Sequence, residues 1–286
     1  MKLQSPASRR HAQGFTLIEL LIALLLVGII LTAVVYVNIE TVRASAALQA
    51  RNELLPELQV TQNYMAGKLK EAAYIFPNLS NIQMSVSGAT TAKPPGGSAG
   101  SVYNWVIGTD PIIAFVMPPK TVIPNGCATA TAAKTATINN TSTYCYAFYA
   151  FYAIKRDAFV AATSGADDPG ANGANDASSW VLVEYRAYYD SAGYLPSTAF
   201  IPTGNTGQLL MDFLPAQYSG ATKLFTTNAA SAAANQLAGS TTVTINLAAL
   251  KNVAGQMVRL PSGASTDFNT LVVYPRNVGQ PTLLSN

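Results

Sequence analysis

At 286 residues the chain can bury one large hydrophobic core or two smaller ones, and because much of that length reads as a helical stalk, one globular head is the simplest organisation. The 17 Lys and Arg against 14 Asp and Glu give a formal charge of +3, but Lys2, Arg9 and Arg10 all precede Gly14 and no carboxylate does, so residues from Phe15 onward carry 14 of each sign. That neutrality argues against a strong, undirected grip on nucleic acid, which draws on phosphate neutralisation, and leaves room for a local basic patch only; with just 11% charged residues and abundant Ala, Thr, Ser, Asn and Gly, the composition suits an exposed extracellular protein better than a cytosolic enzyme.

In chain order, a short basic segment, residues 1–14, leads into an apolar run, FTLIELLIALLLVGIILTAVVYV, over residues 15–37. Those 23 residues contain one charge, Glu19, and a helix of that length spans a bilayer. The positive residues before it keep the leader cytoplasmic and send everything after Val37 outside. A secretory signal peptide fits poorly. The run is long for a signal core, and no small-x-small site closes it; Ala44, Ser45 and Ala46 come well after it ends. An ordinary signal anchor remains the competing reading of the hydropathy alone.

Gly14 followed by Phe15, Thr16, Leu17, Ile18 and Glu19 closely resembles the recognition motif of type IV prepilins and type II secretion pseudopilins. The likeness combines a basic leader ending in Gly, an aromatic first mature residue, a carboxylate at the fifth mature position and an unbroken apolar helix. It implies a pilin-like α+β fold, a long N-terminal helix packed on an antiparallel β-sheet head. It further implies cleavage after Gly14 by a membrane aspartyl protease, the prepilin peptidase, and methylation of the new Phe15 amine. The implied partners are other pilins and minor pilins through the N-terminal helix, and an inner-membrane assembly platform. The implied location is the bacterial inner membrane, single-pass with the N-terminus inside, and then an extracellular pilus or periplasmic pseudopilus. An ionised side chain within hydrocarbon costs roughly 2.5–3.5 kcal/mol, so Glu19 calls for a partner. The nearest cation is the freed amine of Phe15, in the same subunit or, as the resemblance implies, in its neighbour; the other reading is a carboxylate hydrated near the headgroups. One departure from the family concerns a proline that many major pilins carry late in the apolar half, where this chain has Tyr36.

Beyond Val37 the chain stays helix-friendly to about Phe76 but becomes amphipathic. Leu58, Met65, Leu69, Ala72 and Phe76 fall on one stripe expected to pack on the head, with Glu57, Asn63, Lys68 and Lys70 off it. As one helix, residues 15–76 would reach about 93 Å, about half of it outside the membrane. Pro56 predicts a kink or break near Leu55, and Gly28 is a second soft point. The segment YMAGKLKEAAYI, Tyr64 to Ile75, resembles the stalk end of PilW-like and GspJ-like minor subunits.

Residues 77–286 read as a β-rich extracytoplasmic head without a second long helix. Strands are expected at Val102–Ile107, Ile112–Met117, Thr143–Arg156, Trp180–Tyr189, Leu209–Leu214, Thr241–Leu247, Gln256–Leu260 and Thr270–Tyr274. Two Gly/Ser/Ala-rich inserts, residues 87–101 and 161–179, read as exposed mobile loops, the second closing a hairpin between two long strands. Cys127 and Cys145 lie in the part of the chain placed outside the cytoplasm, where oxidation is allowed, and are expected to form a disulfide; the alternative is two buried thiols.

Candidate chemistry in the head is sparse. The one histidine, His11, belongs to the leader, so a mature chain starting at Phe15 has no His for a triad or a zinc site. There is no glycine-rich phosphate loop and no G-x-S-x-G elbow, and no enzyme activity or cofactor is expected. Asp167, Asp168, Asn172, Asn175 and Asp176 crowd one loop with oxygen atoms of the kind calcium prefers, but their spacing is not that of an EF-hand and the mixture is ordinary turn chemistry, so no metal is assigned. Tyr144, Tyr146, Phe148, Tyr149, Phe151 and Tyr152, followed by Lys155 and Arg156, could form a stacking platform for single-stranded DNA. Because the rings fall on both faces of the strand, a central buried strand is the better account. The reading is therefore a minor pilin or pseudopilin that helps initiate or cap a fibre at its tip. The alternatives are a pseudopilin of DNA uptake or type II secretion, and an anchored adhesive head that never polymerises.

Overall fold

The computed structural model describes residues 16–84, 89–93, 104–118, 122–123, 128–130, 136–138, 143–144, 146–189, 207–215, 223–228 and 242–276. The chain divides into two units within its first helix, one up to Ala46 and one from Ala47 onward.

That helix, α1, is continuous over Leu17–Lys70. In chain order there follow β1 (Tyr74–Ile75), β2 (Asn81–Gln83), β3 (Asn104–Val106), β4 (Ile112–Met117), β5 (Val122–Ile123), β6 (Ala128–Ala130), β7 (Ala136–Ile138), β8 (Thr143–Tyr144) and β9 (Tyr146–Lys155). A short helix, α2 (Arg156–Ala162), and β10 (Trp180–Tyr189) come next. The head ends with β11 (Gln208–Leu214), β12 (Phe225–Thr227), β13 (Val243–Leu247), β14 (Ala249–Val253), β15 (Gln256–Leu260) and β16 (Asn269–Val273). The fold is α+β, a long N-terminal apolar helix with an antiparallel sheet, as read from the sequence.

The head is organised by the β9–β10 hairpin, in register from Trp180 opposite Lys155 to Tyr189 opposite Tyr146. It lies at the centre of a seven-stranded sheet of order β1-β4-β9-β10-β6-β7, with β11 also pairing β10. Alternation along β9 sends side chains into two cores. Tyr149 and Phe151 join Leu54, Leu58, Met65 and Leu69 of α1 and the inner residues of the small sheet β12-β13-β16. Phe148, Tyr152 and Ile154 face the other way, onto Trp105 of β3, Ile82 of β2 and Phe159 of α2. The strand is thus central and covered on both sides, as its aromatic pattern implied.

Three expectations about α1 need correcting. The helix ends at Lys70, not near Phe76. Glu71 and Ala72 close it with bonds to the carbonyls of Lys68 and Leu69 at 3.2 Å each, and the β-prone Tyr74 and Ile75 then pair with Val116 and Phe115 of β4. Phe76 consequently leaves the helical stripe and enters the core on the far side of the sheet. The break expected at Leu55 does not occur, because Pro56 lies on the exposed face, where solvent can serve the carbonyl it leaves unbonded, while Leu54 and Leu58 anchor the helix on either side. Glu57 and Lys68, expected off the buried stripe, are half-buried. The stripe also takes in Thr61, whose hydroxyl donates to the Leu210 carbonyl at 3.2 Å, and Gln62, which exchanges bonds of 3.0 and 2.9 Å with Asn269.

The strands at Ile112–Met117, Trp180–Tyr189 and Gln256–Leu260 match expectation, while the long strand expected to Arg156 stops at Lys155 and turns into α2. The sequence pattern does not predict β1, β2, β5, β6, β7, β12 or β14. The segment 161–179 does close the hairpin, yet it is pinned down: Asn175 and Ser179 are buried, the Asn175 amide accepts from Asn252 N–H at 2.6 Å and donates to the Asn252 carbonyl at 3.1 Å, and Ser179 donates to the Leu250 carbonyl at 3.4 Å. Most of the 87–101 insert lies outside the described residues.

Candidate assembly site

The site begins at the first described residue. Thr16 precedes α1 and Glu19 lies in its first turn. The Glu19 Oε2 atom accepts the backbone N–H of Thr16 at 2.9 Å and its hydroxyl at 3.0 Å, while Thr16 Oγ1 lies 3.4 Å from the backbone N of Glu19. This is the reciprocal exchange of a Thr-x-x-Glu capping box. A helix start leaves four N–H groups without intrahelical partners, and hydrocarbon offers no water to take them. Glu19 therefore serves the end of its own helix and meets the partial positive charge there. Oε1 accepts nothing among the described residues, so the carboxylate can keep its cap with one oxygen and meet a cation with the other. Thr16 is not among the partners the sequence suggests for Glu19, the Phe15 amine or headgroup water, although the T-L-I-E spacing carries the signal. Gly14, Phe15 and the leader lie outside the described residues.

Behind the cap every side chain from Thr16 to Ile39 is exposed, and Glu19 is the one charge among them. The helix is long and apolar enough to cross a membrane. Two of its hydroxyls turn back onto the helix: Thr32 and Thr41 donate to the carbonyls of Gly28 and Val37 at 2.8 and 2.7 Å. Leu25, Gly28, Ile29, Thr32, Ala33 and Tyr36 line a shallow groove along this helix, and the small residues among them allow a close helix–helix approach.

Residues 9–35 match the prokaryotic N-terminal methylation motif. The match runs from the basic residues through Gly14, Phe15 and Glu19 to Val35, and it supports a type IV pilin-like subunit. Such a motif implies processing by a prepilin peptidase and assembly with other pilins, and together with the apolar helix it fits membrane anchoring. Comparison with curated proteins and with solved structures gave no match.

The other candidate residues fall in the head. Cys127 and Cys145 lie outside the described residues. The oxygen-rich loop spends its oxygens locally. Asp168 accepts from Gly170 N–H at 2.8 Å, Asp176 accepts from Asn172 N–H at 2.8 Å and pairs with Arg156, and the Asn175 amide is committed to Asn252. No metal-ligating cluster occurs among the described residues. Phe148, Tyr149, Phe151 and Tyr152 are buried, which removes them as an open stacking platform.

Arg156, read from the sequence as a basic neighbour of those aromatics, is instead a buried hub. It holds Asp212 through Nε at 2.9 and 3.1 Å and Nη2 at 3.0 Å, donates to the Gly170 carbonyl at 2.9 Å, and stands 5.0 Å from the Phe213 ring centroid. Burial opposes its charge, but the bonds to Asp212 and Asp176 outweigh that and hold its pKa above the ordinary value. Two register irregularities in β11 aim these groups. Trp180 pairs Leu214 and Leu182 pairs Met211, so Val181 alone faces Asp212 and Phe213, and Phe213 adopts a left-handed φ of 56°. On the helix side the Glu57 carboxylate accepts Asp212 N–H at 2.9 Å, and burial, with the nearby Asp212 charge, raises its pKa.

Proposed function

We propose that the chain is a minor pilin or pseudopilin that helps initiate or cap a type IV pilus-like fibre. In this reading the leader is removed after Gly14, Phe15 is methylated, and the subunit waits in the inner membrane with its head outside. During assembly the apolar helix exchanges lipid for neighbouring helices, and Glu19 pairs with the Phe15 amine of an adjacent subunit. The large head suits a low-copy tip subunit, and a Cys127–Cys145 disulfide would suit the oxidising side of the membrane. One observation carries the reading: a carboxylate at Glu19, in a helix start matched to the methylation motif, heads a stretch from Thr16 to Ile39 that is otherwise uncharged and fully exposed.

The test has two parts. Mass spectrometry of protein recovered from cells should show a chain starting at N-methylated Phe15. Glu19→Ala should leave membrane insertion intact while removing the subunit from sheared fibres. An intact Met1 start, cleavage on the outer side, or normal incorporation of the Glu19→Ala chain would overturn the proposal.

A further inference from the structure

Lys68 lies on the last turn of α1 and its side chain is half-buried. Its ammonium stands 5.5 Å from the ring centroid of Tyr64 and 5.2 Å from that of Tyr149, and the one acceptor it reaches among the described residues is the Tyr149 hydroxyl at 3.5 Å. Among those residues no carboxylate comes within ion-pair distance of it. Arg186 of β10 packs on the same ring, its guanidinium carbon 5.2 Å from the centroid. The arginine charge is matched: Nη2 and Nε donate to Glu184 Oε1 at 2.6 and 3.1 Å, and Nη1 reaches the Tyr188 hydroxyl at 3.4 Å. Glu184 is buried, and its other oxygen takes the Tyr64 hydroxyl at 2.7 Å. The one carboxylate of the cluster is therefore engaged, and Lys68 is its surplus positive charge.

An ammonium carries three donors, and a partly desolvated one that meets a single phenol at the limit of hydrogen bonding is under-satisfied. Burial pushes the Tyr149 hydroxyl up to about 12, so it stays neutral and does not balance the charge. The two phenol oxygens each accept from a cation, which leaves their own O–H groups to donate. Lys70 and Arg276, joined by an Arg276 N–H bond to the Lys70 carbonyl at 3.0 Å, add exposed cations beside the same turn. We propose that Lys68, with the hydroxyls of Tyr149 and Tyr188 and the Arg186 guanidinium behind them, forms a subsite for a phosphate-type oxyanion. Several donors from different directions suit a tetrahedral anion, where a planar carboxylate would leave some unused.

The test uses the full chain in detergent micelles, with inorganic phosphate titrated at constant ionic strength and followed by calorimetry and tyrosine fluorescence. Saturable binding is expected, with sulfate competing and acetate not. Lys68→Met should weaken it at least about tenfold, as befits loss of a charge-assisted bond, whereas Lys223→Met should leave it unchanged. Tyr188→Phe, which keeps the ring, should weaken it by a smaller factor. A single-stranded oligonucleotide that binds more tightly than phosphate with the same Lys68 dependence would identify the phosphate as polymer-borne; one that does not would identify a free anion, and either result keeps the subsite. No saturable phosphate binding by the wild-type chain, equal affinity in folded Lys68→Met protein, or acetate competing as well as sulfate would overturn it.

Discussion

Replacing Arg156 by Met removes the cation from the centre of the head and leaves its partners in place. Asp212 is 9% exposed, and its carboxylate receives three arginine contacts of 2.9–3.1 Å; without them it keeps, among the described residues, the Phe213 N–H at 2.7 Å. Breaking a buried pair from one side costs about 3–5 kcal/mol, because the remaining charge stays desolvated and uncompensated. For a unit the size of this head, about 2–4 °C per kcal/mol converts that to a melting point lower by roughly 10 °C. The double change Arg156→Met with Asp212→Asn removes the more buried of the two orphaned carboxylates, Asp176 being the other, and should recover about half of the loss. The assay is thermal and urea unfolding of the full chain in detergent, followed by circular dichroism. A single variant within about 1 kcal/mol of wild type, or a double variant no better than the single, would refute the hub role of Arg156.

Two more outcomes are expected. Glu57 has a raised folded-state pKa, so the folded protein holds its proton more tightly than the unfolded chain; its contribution to stability is greatest at low pH and falls as pH rises from the ordinary Glu value through the raised one. The stability difference between wild type and Glu57→Gln should therefore slope in that window and flatten above it, as read by urea unfolding from pH 4 to 7; a flat difference would count against it. At the β14–β15 turn Ala254 has φ of 52° and is followed by Gly255 at 79°, a two-residue hairpin geometry that favours Asn-Gly, so Ala254→Asn should raise stability by about 1 kcal/mol in thermal unfolding.

What could be read from the sequence was whatever rests on local pattern. The membrane-length helix, the position of Glu19, the β9–β10 hairpin and the buried strand of aromatics follow from hydropathy and alternation over a few residues. What could not be read depends on residues far apart in the chain. Arg156 looks like a surface cation until β11, 56 residues later, is bulged so that Asp212 meets it. Lys68 looks solvated until β9 and β10 supply Tyr149 and Arg186. Ala72 and Phe76 continue a helical spacing past Lys70, and only the edge of β4 offers Tyr74 and Ile75 a strand instead. The capping box is itself a local signal, a Thr three residues before a Glu at the head of an apolar run.

The Asn175 side chain against Asn252 has a consequence for how the molecule meets its own kind. An open strand border invites any passing chain to add a rung, and the invitation is nonspecific. On β14 the backbone N–H and C=O of Asn252 are already occupied by one amide side chain, and Ser179 takes the Leu250 carbonyl. In the proposed assembly, where subunits meet through their N-terminal helices, such a muzzle leaves one fewer place on the head that can seed runaway sticking between copies.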